Sequence, residues 1–267
     1  MLAKSAYIKL SVLLPVRNEG MSLKIIVKIL LAIIAVPAEI IIVYDFPEDN
    51  SVPVIASLQR VYPNVRGVHN TLGRGVVNAI RSGVQAASGE YVLIYVADEI
   101  TPVLAIEDML ALMYEGCDFV SCTRYAYGGR RLGSHQIRGF LSHLANRLFH
   151  IFAGSCFTDP TAGNKLFRRS IFEQLQLETK TTGWEVAFEM AIKAQLAGLR
   201  LGEVPTISAD RLYGGESTYR PSWMKQYLRR FIWGAFQLRC SNSEQQSRTV
   251  LVRIPTKGRK QTYVVSR

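Results

Sequence analysis

The chain has 267 residues, 48% of them hydrophobic and 20% charged. That balance supplies a full core and excludes a disordered polar chain. The net charge of +11 calls for an anionic partner, which leaves nucleic acid, phosphorylated lipid, membrane surface and nucleotide to be separated.

Tyr7–Pro15 reads as a first buried strand, with Arg17-Asn18-Glu19-Gly20 as its polar exit loop. Met21–Ala35 has apolar residues at helical spacing and ends before Pro37. Glu39–Val43 is a second strand that leaves Tyr44 and Asp45 at its end. Ser51-Val52-Pro53 opens a helix, and Asn64–His69 is a third strand. Val76–Ala87 is a helix closed by Ser88-Gly89. Tyr91–Val96 is a fourth strand, apolar enough to be covered on both faces. It runs into Ala97, Asp98 and Glu99, and Pro102 then begins a helical segment. Ala105–Glu115 is a helix and Phe119–Thr123 a fifth strand ending at Arg124.

Strands alternating with helices at short intervals predict an α/β fold: a mostly parallel sheet with helices on both faces. In such sheets ligands bind beyond the carboxyl ends of the strands. Arg17 and Glu19, Asp45, Asp98 and Glu99, and Arg124 all fall at predicted strand ends. A carboxylate there can hold a divalent cation, and the cation a phosphate. On the residues alone, Asp98 as a helix N-cap and Glu99 as a first-turn acid stay equally open.

After Arg124 the rhythm breaks. Tyr125–Gln136 is rich in glycine and basic residues, and Ile137–Ala153 is a helix carrying Arg138, His143, Arg147 and His150. Thr158–Asn164 is turn-rich, and Lys165–Leu175 returns to regular structure. Glu185–Ala197 is a helix and Arg200–Ile207 a strand. Pro221–Leu238 is an amphipathic helix mixing Trp223, Tyr227, Phe231, Trp233 and Phe236 with Lys225, Arg229 and Arg230, a composition suited to a membrane interface. Residues 239–267 read as a basic tail in which Thr249–Ile254 has strand character, so 1–238 is expected as the folded domain.

Four cysteines without C-x-x-C spacing read as reduced thiols, not a zinc site, and no secretory leader pattern is legible. The apolar stretch from Ile25 to Tyr44 is interrupted by Lys28, Pro37 and Glu39, so it does not read as a membrane span. Gly73 and Gly75 suggest a dinucleotide loop, but Asn78 stands where its third glycine belongs. The basic residues are dispersed with no nucleic-acid-reading motif, which argues against nucleic acid as the partner.

Six motifs in order resemble the family 2 glycosyltransferases of GT-A fold, in particular the dolichyl- and polyprenyl-phosphate sugar synthases. They are Leu14-Pro15-Val16-Arg17-Asn18-Glu19, Glu39–Asp45, Ala97-Asp98, Thr123-Arg124-Tyr125 before Gly128-Gly129, Asp159-Pro160-Thr161-Ala162-Gly163, and Asp210-Arg211 before Gly215-Glu216-Ser217. The resemblance spans roughly residues 8–235. It implies a nucleotide pocket of Pro15, Arg17, Glu19, Val43, Asp45 and Ala97. It implies catalytic roles for Asp98, Arg124 and Arg211 around the donor diphosphate, and a metal (Mg²⁺ or Mn²⁺) at Asp98 with Glu99. Arg138 matches an acceptor-phosphate position. The implied reaction is inverting transfer of a hexose from a GDP-mannose or UDP-glucose type donor to polyprenyl phosphate. The implied place is cytoplasmic, peripheral to the inner face of the membrane, with room for a homo-oligomer.

Two departures stand out. The family often carries Asp where Val96 stands and Gln near Ile100, and neither aliphatic side chain can ligate a metal. A soluble or polysaccharide acceptor, or a sugar-nucleotide-binding chain whose catalysis has lapsed, are the rival readings. A hydroxyl acceptor would need a general base, for which Asp159 and Glu185 are the candidates.

Overall fold

In the computed structural model the described residues are 8–133, 136–179, 183–209, 222–240, 245–256 and 259–266. The first half follows the alternation read from the sequence: β1 (Leu10–Val16), α1 (Gly20–Ile33), β2 (Ala38–Tyr44), α2 (Val52–Val61), β3 (Val65–His69), α3 (Val76–Ala86) and β4 (Tyr91–Ile94). A 3₁₀ turn, Thr101–Ala105, leads into α4 (Ile106–Tyr114) and β5 (Phe119–Thr123). Then come β6 (Arg130–Leu132), α5 (Gln136–Ala153), β7 (Lys165–Arg168), α6 (Glu185–Leu196), β8 (Leu201–Pro205), β9 (Ile207–Ala209), α7 (Ser222–Cys240), β10 (Thr249–Thr256) and β11 (Arg259–Ser266).

Nine strands form one sheet in the order β11-β10-β8-β5-β7-β4-β1-β2-β3. β7 runs antiparallel between β4 and β5, and β11 antiparallel to β10; the other pairings in this sheet are parallel. The parallel strands therefore all end on one edge. β6 and β9 make a separate two-stranded parallel sheet.

The sheet is buried on both faces, which explains why its strands are continuous apolar runs instead of alternating ones. One face packs α1, α2 and α4 through Leu23, Ile26, Leu30, Ile55, Leu58 and Met109. The other packs α3 and α6 through Val77, Ile80, Val84, Val186 and Met190. α6 is buried over most of its length because α5 and α7 cover its outer surface: Phe149, Phe188 and Phe231 meet there, with ring centroids 4.8 to 5.1 Å apart.

Two expectations differ from the structure. β4 stops at Ile94 and not at Val96, because the Val96 N–H is taken by the side-chain oxygen of Asn164 (3.0 Å) instead of a neighbouring strand. The stretch expected as a basic tail holds two strands. β10 pairs with β8 and buries Val250 and Val252, while Arg253 and Lys260 reach Glu107 and Asp108 of α4 and Glu115 just past its end. The basic composition that read as solvated tail is balanced by that acidic helix.

Candidate functional site

The rim of the parallel strands gathers most of the expected residues. β1 delivers Pro15 and Val16 and exits at Arg17; β2 delivers Val43 and exits at Asp45; the register pairs Pro15 with Val43 and Val16 with Tyr44. The β1 exit loop is fixed from α2's approach. Asp49 accepts the Asn18 N–H at 3.0 and 3.1 Å, and the Ser51 hydroxyl accepts the Glu19 N–H at 3.0 Å. Arg17 stays exposed. Tyr44 stacks on His69 across the ends of β2 and β3, with centroids 5.3 Å apart.

Asp45 ties the β2 exit to the loop before α3. Its carboxylate accepts from the Asn70 side chain (2.8 Å) and from the Gly75 N–H (3.1 Å). Gly75 holds φ at +123°, a region that side chains disfavour, so only glycine turns the chain to aim that N–H at Asp45.

Beyond β4, Ala97 is buried and Asp98 and Glu99 are half-buried. The helix-cap reading of this pair fails: the 3₁₀ turn has Ile100 at its N-cap and no side-chain cap bond. Val96 packs against Gly163, where an added Cβ would stand 2.5 Å from its methyl, beside the Trp184 ring. Glu99 is turned sideways. It accepts from the Ser208 hydroxyl of β9 at 3.0 Å, with a longer contact to the Asn164 amide at 3.5 Å. Burial raises its pKa; Arg124 lowers it and the Asp98 charge raises it further. Among the described residues no three His, Cys, Asp or Glu side chains cluster as a metal site.

Arg124, at the end of β5, is clamped. Its guanidinium makes a two-pronged bond to Asp159 (2.7 and 3.0 Å), a bond to the Thr161 hydroxyl (2.9 Å), and lies 5.1 Å from the Tyr125 ring centre. Burial pushes the Asp159 carboxyl up, but Arg124 and Thr161 outweigh it and hold the pKa below the ordinary value. Asp159 is thus a poor general base. Glu185, the other candidate base, is buried in α6.

Beneath this pair lies a network that sequence reasoning missed. Glu203 of β8 accepts the N–H groups of Thr158 (2.9 Å) and Asp159 (3.3 Å) and the Thr158 hydroxyl (3.0 Å). Burial pushes its pKa up to about 8 against those bonds. Lys165 of β7 donates to the Ser121 hydroxyl (2.6 Å) and the Pro160 carbonyl (3.2 Å), and burial pulls its pKa down to about 8. The available signal was a lone charge inside an apolar strand, in Leu201-Gly202-Glu203-Val204 and in Lys165-Leu166-Phe167.

α5 touches the same cluster. Asn146 bonds the Thr161 hydroxyl (3.1 Å), Ser142 takes the Tyr125 hydroxyl (2.8 Å), and His143 stacks on Tyr125 at 4.9 Å. Its opposite face is apolar and exposed: Phe140, Leu141, Leu144, Leu148, Ile151 and Phe152. α7 adds Leu228, Ile232 and Phe236, each 62–63% exposed at helical spacing. No helix among the described residues is long and apolar enough to cross a membrane. The Arg138 side chain, although on α5, and the whole of Arg211 lie outside the described residues.

The comparisons fit this geometry. Glycosyltransferase AglD of Haloferax volcanii is 27% identical over 211 residues, which is 76% of this chain and 33% of that protein. The dolichol-phosphate mannosyltransferases of Mycosarcoma maydis and Pyrococcus furiosus are each 26% identical over 83% of this chain, covering 77% and 62% of their own lengths. The chain thus spans about a third of the Haloferax relative's length and less than two thirds of the Pyrococcus one. Among solved structures, glucosyl-3-phosphoglycerate synthase of Mycobacterium tuberculosis, in complex with Mn²⁺, UDP and its product, shares the fold. Its TM-score is 0.62 and its identity 15%, over 97% of this chain and 87% of that one. A mannosyltransferase of Pyrobaculum calidifontis with GDP-Man and Mn²⁺ gives 0.56 at 17% identity, over 87% and 65%. The GT-A architecture expected from the motifs is the one observed. The family model for Glycosyl transferase family 2 matches residues 11–176, well over half of the chain, and the chain belongs to that family.

Proposed function

We propose that this chain moves a hexose from a nucleotide-diphosphate sugar to a polyprenyl phosphate at a membrane surface, on its inner face, with inversion at the sugar. The observation that carries the lipid acceptor is the two-sided α5. Its inner side bonds the Arg124–Asp159–Thr161 cluster, and its outer side exposes a stripe of large apolar residues. A lipid phosphate needs that pairing: a charged head at the rim and an apolar tail alongside.

The rim residues divide the work. Pro15, Arg17, Glu19, Val43, Asp45 and Ala97 form the nucleotide side, and Asp98 stands where the diphosphate leaves. A divalent cation fits one carboxylate plus substrate phosphate oxygens, so Asp98 suffices without Asp at 96; Mg²⁺ or Mn²⁺ would there stabilise the charge on the leaving diphosphate. Arg124, oriented by its ion pair with Asp159, and Arg211 are assigned to the donor phosphates, and Arg138 to the acceptor phosphate. A lipid phosphate, with a second pKa of about 6, is already largely deprotonated at neutral pH. The burial of Asp159 in its ion pair is therefore no obstacle, since no general base is required.

The relatives named as dolichol-phosphate mannosyltransferases favour a mannosyl donor, while the Mn²⁺ and UDP complex of a fold neighbour keeps a uridine donor and a soluble acceptor in play. The test is transfer of label from GDP-mannose and from UDP-glucose, with Mn²⁺, to dolichyl phosphate. Label in the organic phase that depends on added dolichyl phosphate is expected. Label passing only to aqueous acceptors would sink the lipid reading, and nucleotide binding without any transfer would favour a lapsed enzyme.

A further inference from the structure

The small β6–β9 sheet is tied to the large one at two points. The first is the backbone: Thr206 donates to the Thr123 carbonyl (2.9 Å) and Arg130 donates to the Thr206 carbonyl (3.0 Å). The second is the Ser208 hydroxyl, which donates to Glu99 at the end of β4 (3.0 Å). Ser208 is the central residue of β9 and pairs in register with Arg131, the central residue of β6. Arg131 also acts on Glu99 through its charge. The second Glu99 oxygen faces Asn164, whose own oxygen holds the Val96 N–H.

We propose that Glu99 is a positioning residue that pins the β6–β9 sheet to the rim of the large sheet, and is not a metal ligand. The consequence is spatial. β6 leads in sequence to α5, and β9 leads to Asp210-Arg211. The pin fixes the starting points of both acceptor-side segments relative to Asp98. A metal at the rim then has one protein carboxylate, Asp98, because its neighbour's oxygens are aimed at Ser208 and Asn164.

The test compares Glu99→Gln, Ser208→Ala and the double variant in the full chain. Three readouts are used: hydrogen exchange at residues 130–132 and 207–209, Mn²⁺ binding by electron paramagnetic resonance with UDP and with GDP, and transfer kinetics with GDP-mannose or UDP-glucose and dolichyl phosphate. Ser208→Ala removes the hydrogen bond and predicts exchange at those residues rising about tenfold, while Glu99→Gln keeps an accepting oxygen, loses only the charge assistance and predicts a smaller rise. The double variant should match Ser208→Ala alone, since that substitution already removes the bond. Mn²⁺–nucleotide affinity is expected to stay at the wild-type value. kcat is expected to fall about tenfold with the donor KM unchanged. The kinetic arm rests on the function proposed above; the exchange and Mn²⁺ arms do not. Absence of turnover in wild type would therefore count against that function and leave the pin to be decided by the other two. Weaker Mn²⁺ binding in Glu99→Gln with Ser208→Ala silent would make Glu99 a ligand and overturn the proposal. Unchanged exchange at 130–132 and 207–209 in both variants would overturn it too.

Discussion

The two halves of the rim treat charge in opposite ways. Along the rim of β1 to β4, Arg17 is exposed, Glu19, Asp45, Asp98 and Glu99 are half-buried, and Asp49 is buried; the bonds around Asp45 and Asp49 mostly fix backbone. From β5 to β9 the ionisable side chains are largely buried and each is bonded: Arg124 to Asp159, Glu203 to the 158–159 backbone, Lys165 to Ser121 and Pro160. The difference teaches where each half gets its shape. The first needs little beyond strand ends and short turns. In the second, residues 154–164 between α5 and β7 lie outside the sheet ladders, so side-chain bonds must hold them, and breaking a single partner leaves another charge buried.

The sharpest way to break that contrast is Asp159→Ala. It strands the Arg124 guanidinium in a site with little solvent, and the expected loss is about 3–5 kcal/mol of unfolding free energy. Asp45→Ala, on the open side, should cost less than half as much, because it gives up bonds of about 1–2 kcal/mol with water at hand. Urea unfolding of both variants measures the difference; equal losses would erase the distinction between the halves.

Asp98→Ala probes function instead of folding. If Asp98 places charge at the departing diphosphate, kcat should drop by ~10²–10³, about 2.7–4 kcal/mol, with the unfolding midpoint unchanged. A variant that loses activity and stability together would mean that Asp98 belongs to the structural set on the other half.

The buried network also predicts a pH signature. Glu203 has a folded pKa near 8, far above its ordinary 4.5, so its neutral form is favoured by folding. The stability it contributes is complete below the unfolded pKa and is lost as pH rises from there toward 8. Lys165, pulled down from 10.5 to about 8, works the other way: stability is full above the unfolded value and is lost as pH falls toward 8. The two together place a minimum near pH 8. Between pH 6 and 8 the expected drop is on the order of 2 kcal/mol, and Glu203→Gln should flatten it. A wild-type profile level from pH 6 to 8 would show that Glu203 ionises normally in its nest of N–H donors.

How much was legible follows the same division. The parallel half was readable because buried strands and amphipathic helices write their periods into the sequence, and turn residues mark their ends. Asp45, Asp98 and Arg124 fell at the correct edge for that reason. Glu203 and Lys165 were not recovered, since a charge inside a strand has meaning only when its partner, 45 residues away for Thr158 and 44 for Ser121, is known. Glu99 was read with Asp98 as a metal pair from adjacency alone; its hydrogen bond from Ser208, 109 residues on, was not legible in the sequence. The hairpin of β10 and β11 was hidden by basic residues whose acidic partners lie on α4.

The smallest expected effect tests whether the exposed faces of α5 and α7 meet water or lipid. Leu144 and Ile232 are exposed on α5 and α7, whose inner faces already pack Phe149 and Phe231 together. Replacing an exposed apolar side chain by Ser removes no core contact, so folding should be indifferent, within about 0.5 kcal/mol. At a bilayer surface each would withdraw apolar area worth roughly 1–2 kcal/mol from the interface. Leu144→Ser with Ile232→Ser should therefore weaken co-sedimentation with anionic vesicles about tenfold or more, while transfer to a short, water-soluble polyprenyl phosphate persists. Arg229, exposed on α7 beside Leu228, should make the residual binding salt-sensitive. Vesicle binding unmoved by the two serines would detach the apolar stripes from the membrane, and with them the observation on which the lipid acceptor rests.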